Sequence, residues 1–67
     1  MHQVKEHALR VIEARARQNV GHLASRLVRA ASDDKEPILA ALEFERWLAN
    51  RCREAIVDVE SARRPRI

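Results

Sequence analysis

Apolar residues recur along the first half of this chain at Leu9, Ile12, Ala16, Val20, Leu23, Leu27 and Ala30, and along the second half at Ala41, Phe44, Leu48, Cys52, Ala55, Val59 and Ala62. Both series advance by the same steps of 3, 4, 4, 3, 4 and 3 residues. A strand repeats every second residue, whereas steps of three and four return side chains to one face of an α-helix, close to the spacing of a coiled-coil seam. Two seams of equal length predict two matched helices, over 3–31 and 35–63. The fold class is therefore all-α, an antiparallel two-helix hairpin.

The only polar run in the middle of the chain, Ser32-Asp33-Asp34-Lys35-Glu36 before Pro37, is the expected turn, placed at 32–36. Asp34 is positioned to cap the second helix, and Pro37 is tolerated in a first turn whose N–H groups have no carbonyl partner. Asp33, Asp34 and Glu36 suit the positive end of the helix dipole. At the far end Arg63 and Arg64 suit the negative end, Pro65 stops the helix, and residues 64–67 form a basic tail. Gly21 is the weak point of the first helix, because glycine in a helix interior costs about 1 kcal/mol relative to alanine. A break there would give three helices, although the apolar phase passes through it unshifted. Glycine at this position would also permit close approach of another backbone.

A turn this short forces the two helices to lie side by side. Residues 1–31 carry six basic and two acidic side chains, and residues 32–60 carry four basic and eight acidic ones. A basic helix beside an acidic one is electrostatically consistent, each exposed pair contributing well under about 1 kcal/mol.

With 67 residues, the chain makes at most one domain, and at this length only about 60% of the unfolded surface is buried. Small domains usually need a disulfide, a metal or a second copy. Cys52 is the single cysteine, and no spaced set of Cys and His suggests zinc. A homodimer is the expected remedy, two hairpins packing as a four-helix bundle. The second helix agrees: Ile38, Leu42 and Ile56 flank its seam on one side, and Ala40, Phe44 and Trp47 on the other, more apolar surface than one partner helix can cover. The expected protein interface is therefore Ile38, Leu42, Phe44, Trp47 and Ile56, with Trp47, the only tryptophan, as its anchor.

Catalytic residues, cofactors and metal ligands are not expected. No Glu-x-x-His, His-x-x-x-His or Cys-x-x-Cys occurs, nothing resembles a phosphate-binding glycine loop or a nucleophile elbow, and two packed helices provide little cleft. His2, His7 and His22 read as surface residues, and Cys52 as a small core residue, since a nucleophile wants an exposed thiolate beside a base. No run of apolar residues reaches the eighteen or so that span a bilayer, and no hydrophobic segment follows the first charges as in a signal peptide. The expectation is a cytoplasmic protein with a reduced thiol, no membrane attachment and no small-molecule substrate.

The outer face of the first helix carries His7, Arg15, Gln18, His22, Arg26 and Arg29 with no acid among them. Such a face can track phosphates or an acidic protein surface, and it can equally be the solvated side of a helix. The residues expected to carry nucleic-acid or acidic-partner contact are Arg15, Gln18, His22, Arg26 and Arg29. In shape and length the expected architecture is similar to Rop-type antiparallel hairpin dimers, which bind RNA through their first helices; no sequence motif carries that likeness. The leading functional expectation is a non-catalytic interaction module, an adaptor, small chaperone or antagonist of a larger protein, acting as a homodimer. The alternative is a regulator that binds RNA or DNA.

Overall fold

A computed structural model describes residues 2–63, with side chains from Val4 onward. It contains two α-helices, α1 (His2–Arg29) and α2 (Ser32–Arg63), packed against each other as a hairpin. The basic tail expected at 64–67 lies outside the described residues.

The connection is shorter and earlier than the polar run implies. Only Ala30 and Ala31 separate the helices, and Ser32 to Glu36 form the start of α2 instead of a turn. The amide of Ala30 donates to the Leu27 carbonyl at 3.3 Å, tightening the end of α1, and the amide of Asp34 donates to the Ala31 carbonyl at 2.9 Å, opening α2. Asp34 is thus a residue of the first helical turn and not its cap. Asp33 and Asp34 there still face the positive end of the dipole, and Arg26 and Arg29 occupy the last turn of α1. Pro37 lies inside α2, beyond the first turn in which it was expected, so its missing N–H leaves the Asp33 carbonyl without its helical partner.

α1 runs unbroken through Gly21, so the three-helix alternative does not hold. Gly21 is exposed, and a Cβ built on it would meet nothing within 4 Å. No backbone approach within the hairpin calls for glycine here.

The helices meet along lines that differ from the expected seams. Along α1 and the residue that follows it, the contact line runs through Leu9, Glu13, Ala16, Val20, Leu23, Leu27 and Ala30, all buried or half-buried, and Glu6 and Ala24 are half-buried as well. Glu13 has taken the place expected for Ile12, which is 41% exposed. In α2 the buried residues are Ile38, Leu42, Ala49, Cys52 and Ile56, joined by half-buried Glu45 and Val59. Both observed lines alternate fours and threes without interruption, which is the heptad pattern of two helices in register.

The result is a rod. Its principal extents are 55 × 19 × 13 Å and its radius of gyration is 15.8 Å, against about 11 Å for a compact chain of this length. Its accessible surface is 5670 Å², roughly 1,300 Å² more than a compact monomer of 7.7 kDa exposes. Ile56 is the largest side chain with no exposure at all.

Candidate interaction surfaces

The two long sides of the hairpin are chemically different. At about 100° per residue, Glu6, Arg10 and Arg17 lie beside Glu13 on one flank of the α1 contact line, while Ile12, Arg15 and Asn19 lie on the other. The first flank meets Arg53, Glu60 and Arg63 of α2. The Arg53 guanidinium donates through Nε to Glu13 Oε2 at 2.9 Å and through Nη2 to Glu13 Oε1 at 3.0 Å, while Arg17 adds bonds to Oε2 at 3.1 and 2.9 Å. Arg10 bridges Glu6 at 3.0 Å and Glu60 at 2.6 Å, and Arg63 donates to Glu6. Bidentate and charge-assisted bonds of this kind are the strong ones.

Glu13 is only 6% exposed. Burial by itself would raise its pKa, but the hydrogen bonds and positive charges of Arg17 and Arg53 outweigh that and hold the carboxyl below its ordinary value. Glu6 is likewise held low, first by the hydrogen bond from Arg10, with Arg63 assisting. Two of the three cross-helix pairings join an acid of α1 to a base of α2, the reverse of what the helices' net charges suggest. Only Arg10 with Glu60 runs the expected way.

The opposite long side mixes apolar groups with polar ones that have no ion-pair partner among the described residues. Ile12, Ala16 and Leu48 line a shallow depression there with Arg15, Asn19 and Glu45. Ala41, Ala55 and Val59 extend it as half-buried neighbours. One oxygen of Glu45, Oε2, is sealed from solvent yet accepts no hydrogen bond, and an unsatisfied buried acceptor costs about 1–3 kcal/mol.

The expected protein interface divides accordingly. Ile38, Leu42 and Ile56 are covered by α1 inside the hairpin and do not form an exposed flank. The reason is the rotation of α2: its outer apolar series, Ala41, Phe44, Leu48 and Ala55, was read as the seam, and its true seam as the flank. Phe44 and Trp47 are each 56% exposed, with ring centroids 5.9 Å apart and planes tilted by 32°. They are the only aromatic residues of the chain, and neither belongs to the core.

The expected basic face is also divided. Arg15, Gln18, His22, Arg26 and Arg29 are all exposed. Arg26 and Arg29 border a depression at the turn with Ala30, Asp34, Pro37 and Ile38, whereas Arg15 overlooks the Glu45 groove. None of these three arginines takes part in an ion pair among the described residues, in contrast to Arg10, Arg17, Arg53 and Arg63.

Cys52 is buried in the seam as a free thiol, and His7 and His22 are exposed. Among the described residues no three His, Cys, Asp or Glu side chains gather where they could hold a metal, and no helix is long and apolar enough to cross a membrane. Sequence reasoning missed Glu13 and Glu45 as members of the contact lines, because both were set aside as polar. The unbroken alternation of fours and threes through them was the available signal. No protein-family model matches the chain, and no curated protein or solved structure matches it.

Proposed function

We propose that this chain is a non-catalytic interaction module that works as a homodimeric helical bundle and docks a larger protein through Phe44 and Trp47. The observation that carries this reading is the aromatic pair itself. A chain short of core keeps both of its aromatic side chains together on the surface, where large flat rings make efficient binding anchors. The homodimer is supported by the rod's surplus surface, which exceeds the roughly 800 Å² that each partner commonly contributes to a stable interface.

The test is a photo-crosslinking amino acid at position 47. A discrete heterologous adduct that disappears on Phe44→Ala, with helicity nearly unchanged, supports docking. Loss of helicity on Trp47→Ala, or adducts only between copies of this chain, overturns it.

A second reading, contact with nucleic-acid phosphates, is favoured by the absence of ion pairs at Arg15, Arg26 and Arg29. Replacing all three with Gln should then abolish binding to duplex DNA or structured RNA, and each neutralised phosphate should contribute about −0.9 to the slope of log affinity against log salt on duplex DNA. Unchanged affinity in the triple variant removes this reading.

A further inference from the structure

We propose that the long side of the hairpin holding Ile12, Arg15, Glu45 and Leu48 is the dimer interface, and that Arg15 of a second copy pairs with the Glu45 carboxylate, which enters no ion pair among the described residues. This rests on the homodimer reading and adds to it a face and a register.

The choice of side follows from how the two are already used. On the ion-pair side, Glu6, Glu13 and Glu60 have their partners within the chain. A second copy there would have to strip water from satisfied charges, which costs more than it returns. On the other side, Ile12 and half-buried Leu48 offer apolar surface, and the two ionic groups beside them, Glu45 and Arg15, enter no ion pair among the described residues.

The occupant is a second copy because the groove is complementary to itself. It holds one acid on α2 and one base on α1, both lining the same depression. A two-fold dimer repeats every contact, residue i on j and j on i. A two-fold axis running along this groove, parallel to the helices, lays α1 of each copy over α2 of the other, and so sets each Arg15 over the other copy's Glu45 and each Ile12 over the other's Leu48. Closing the groove removes water from around Glu45, so the same contact that buries the apolar surface satisfies the carboxylate. A register slip would leave both carboxylates unpaired, which makes the pair a selector of one alignment.

The experiment is a charge exchange read by sedimentation equilibrium, with far-UV circular dichroism on each sample. Glu45→Arg puts two arginines in the groove, and Arg15→Glu puts two glutamates there. Each variant alone should dissociate at concentrations where the parent chain is dimeric, by at least tenfold in Kd. An equimolar mixture of the two should form a heterodimer, because both of its cross-copy pairs are again of opposite charge. Recovery in the mixture cannot come from a pair within one chain, which only the doubly exchanged chain could restore.

If both variants remain dimeric, the interface lies elsewhere and this assignment fails while the homodimer stands. If the parent chain is monomeric throughout, the homodimer reading fails with it. If the variants dissociate, and the doubly exchanged chain recovers dimerisation but the mixture does not, Arg15 and Glu45 pair within one chain and the cross-copy contact is overturned. Should either variant lose helicity, Arg15→Gln alone removes the charge of the proposed pair with the least disturbance. That chain should keep its helicity and dimerise at least severalfold more weakly, and an unaltered Kd would overturn the proposal.

Discussion

Near the turn, α1 and α2 meet through half-buried Val20, Leu23 and Leu27 beside buried Ile38 and Leu42, with no hydrogen bond between side chains of the two helices. Near the free ends they meet around Ile56 and Cys52 and are laced by Glu6, Arg10, Glu13, Arg53, Glu60 and Arg63. Among the described residues every cross-helix side-chain hydrogen bond lies in this outer half. The difference teaches how a hairpin divides its constraints. Two residues of connection hold the turn end together at small entropic cost. The free ends have no such tether, so directional charged contacts do there what chain connectivity does at the turn.

Deleting core volume tests the comparison most severely. Ile56→Ala should cost about 2–5 kcal/mol in urea unfolding at fixed protein concentration, because Ile56 is wholly buried in the half that no connection tethers. Ile38→Ala, beside the connection, should cost less. A larger loss at Ile38 would mean that the turn contributes little to holding the helices together.

Glu13→Gln should come next. It removes the negative charge and one of the two oxygens that accept from Arg17 and Arg53, and a charged hydrogen-bonded group of this kind is worth roughly 1–3 kcal/mol. Amide exchange should quicken in residues 6–17 and 53–63 and stay nearly constant from Leu23 to Leu42. Uniform quickening would show that the two halves open as one unit.

Acid should act on the same half. The folded pKa values of Glu6 and Glu13 lie below the ordinary value of 4.5. Their contribution is therefore complete above that value and is lost as the pH falls through the depressed folded values. Thermal unfolding should show a drop on acidification that Glu13→Gln makes shallower; an identical profile in the variant would remove Glu13 from the account.

The smallest effect is expected between the halves. Gly21→Ala should raise stability by up to about 1 kcal/mol, since the site is helical and a Cβ meets nothing within 4 Å. A loss instead would place a close neighbour over Gly21 in the assembled protein.

Two helices and their lengths to within a few residues were legible from apolar spacing, and their antiparallel packing from the shortness of the connection. Their rotation was not. Ile12 was preferred to Glu13 because a carboxylate in a contact line is unfavourable until two guanidiniums are brought to it, and those come from i+4 on α1 and from forty residues away on α2. In α2 two apolar series run side by side, one through Leu42, Ala49 and Ile56 and one through Ala41, Leu48 and Ala55. Neither hydrophobicity nor four-three alternation ranks them, since Ala41, Glu45, Leu48, Cys52, Ala55 and Val59 alternate as strictly as Leu42, Glu45, Ala49, Cys52, Ile56 and Val59. The doubled four in each expected seam was the sign of a step between two phases.

The turn was misplaced for a related reason. Ser32, Asp33 and Asp34 favour the first turn of a helix as much as a loop, and two alanines, good helix formers, make an improbable connection on propensity alone. Geometry decides it, because the two contact lines must come into register across the connection. Trp47 and Phe44 were legible as outward residues of interest, while Ile38, Leu42 and Ile56 were assigned to the wrong surface by the same rotation.

The central claim is that the hairpin's uncovered side is closed by a second copy. Sedimentation equilibrium of the full chain from low to high micromolar concentration tests it most directly. A species of twice the 7.7 kDa chain mass, with helicity and unfolding temperature that rise with concentration, is the expected result. A fully helical species of single-chain mass across the whole range would contradict it.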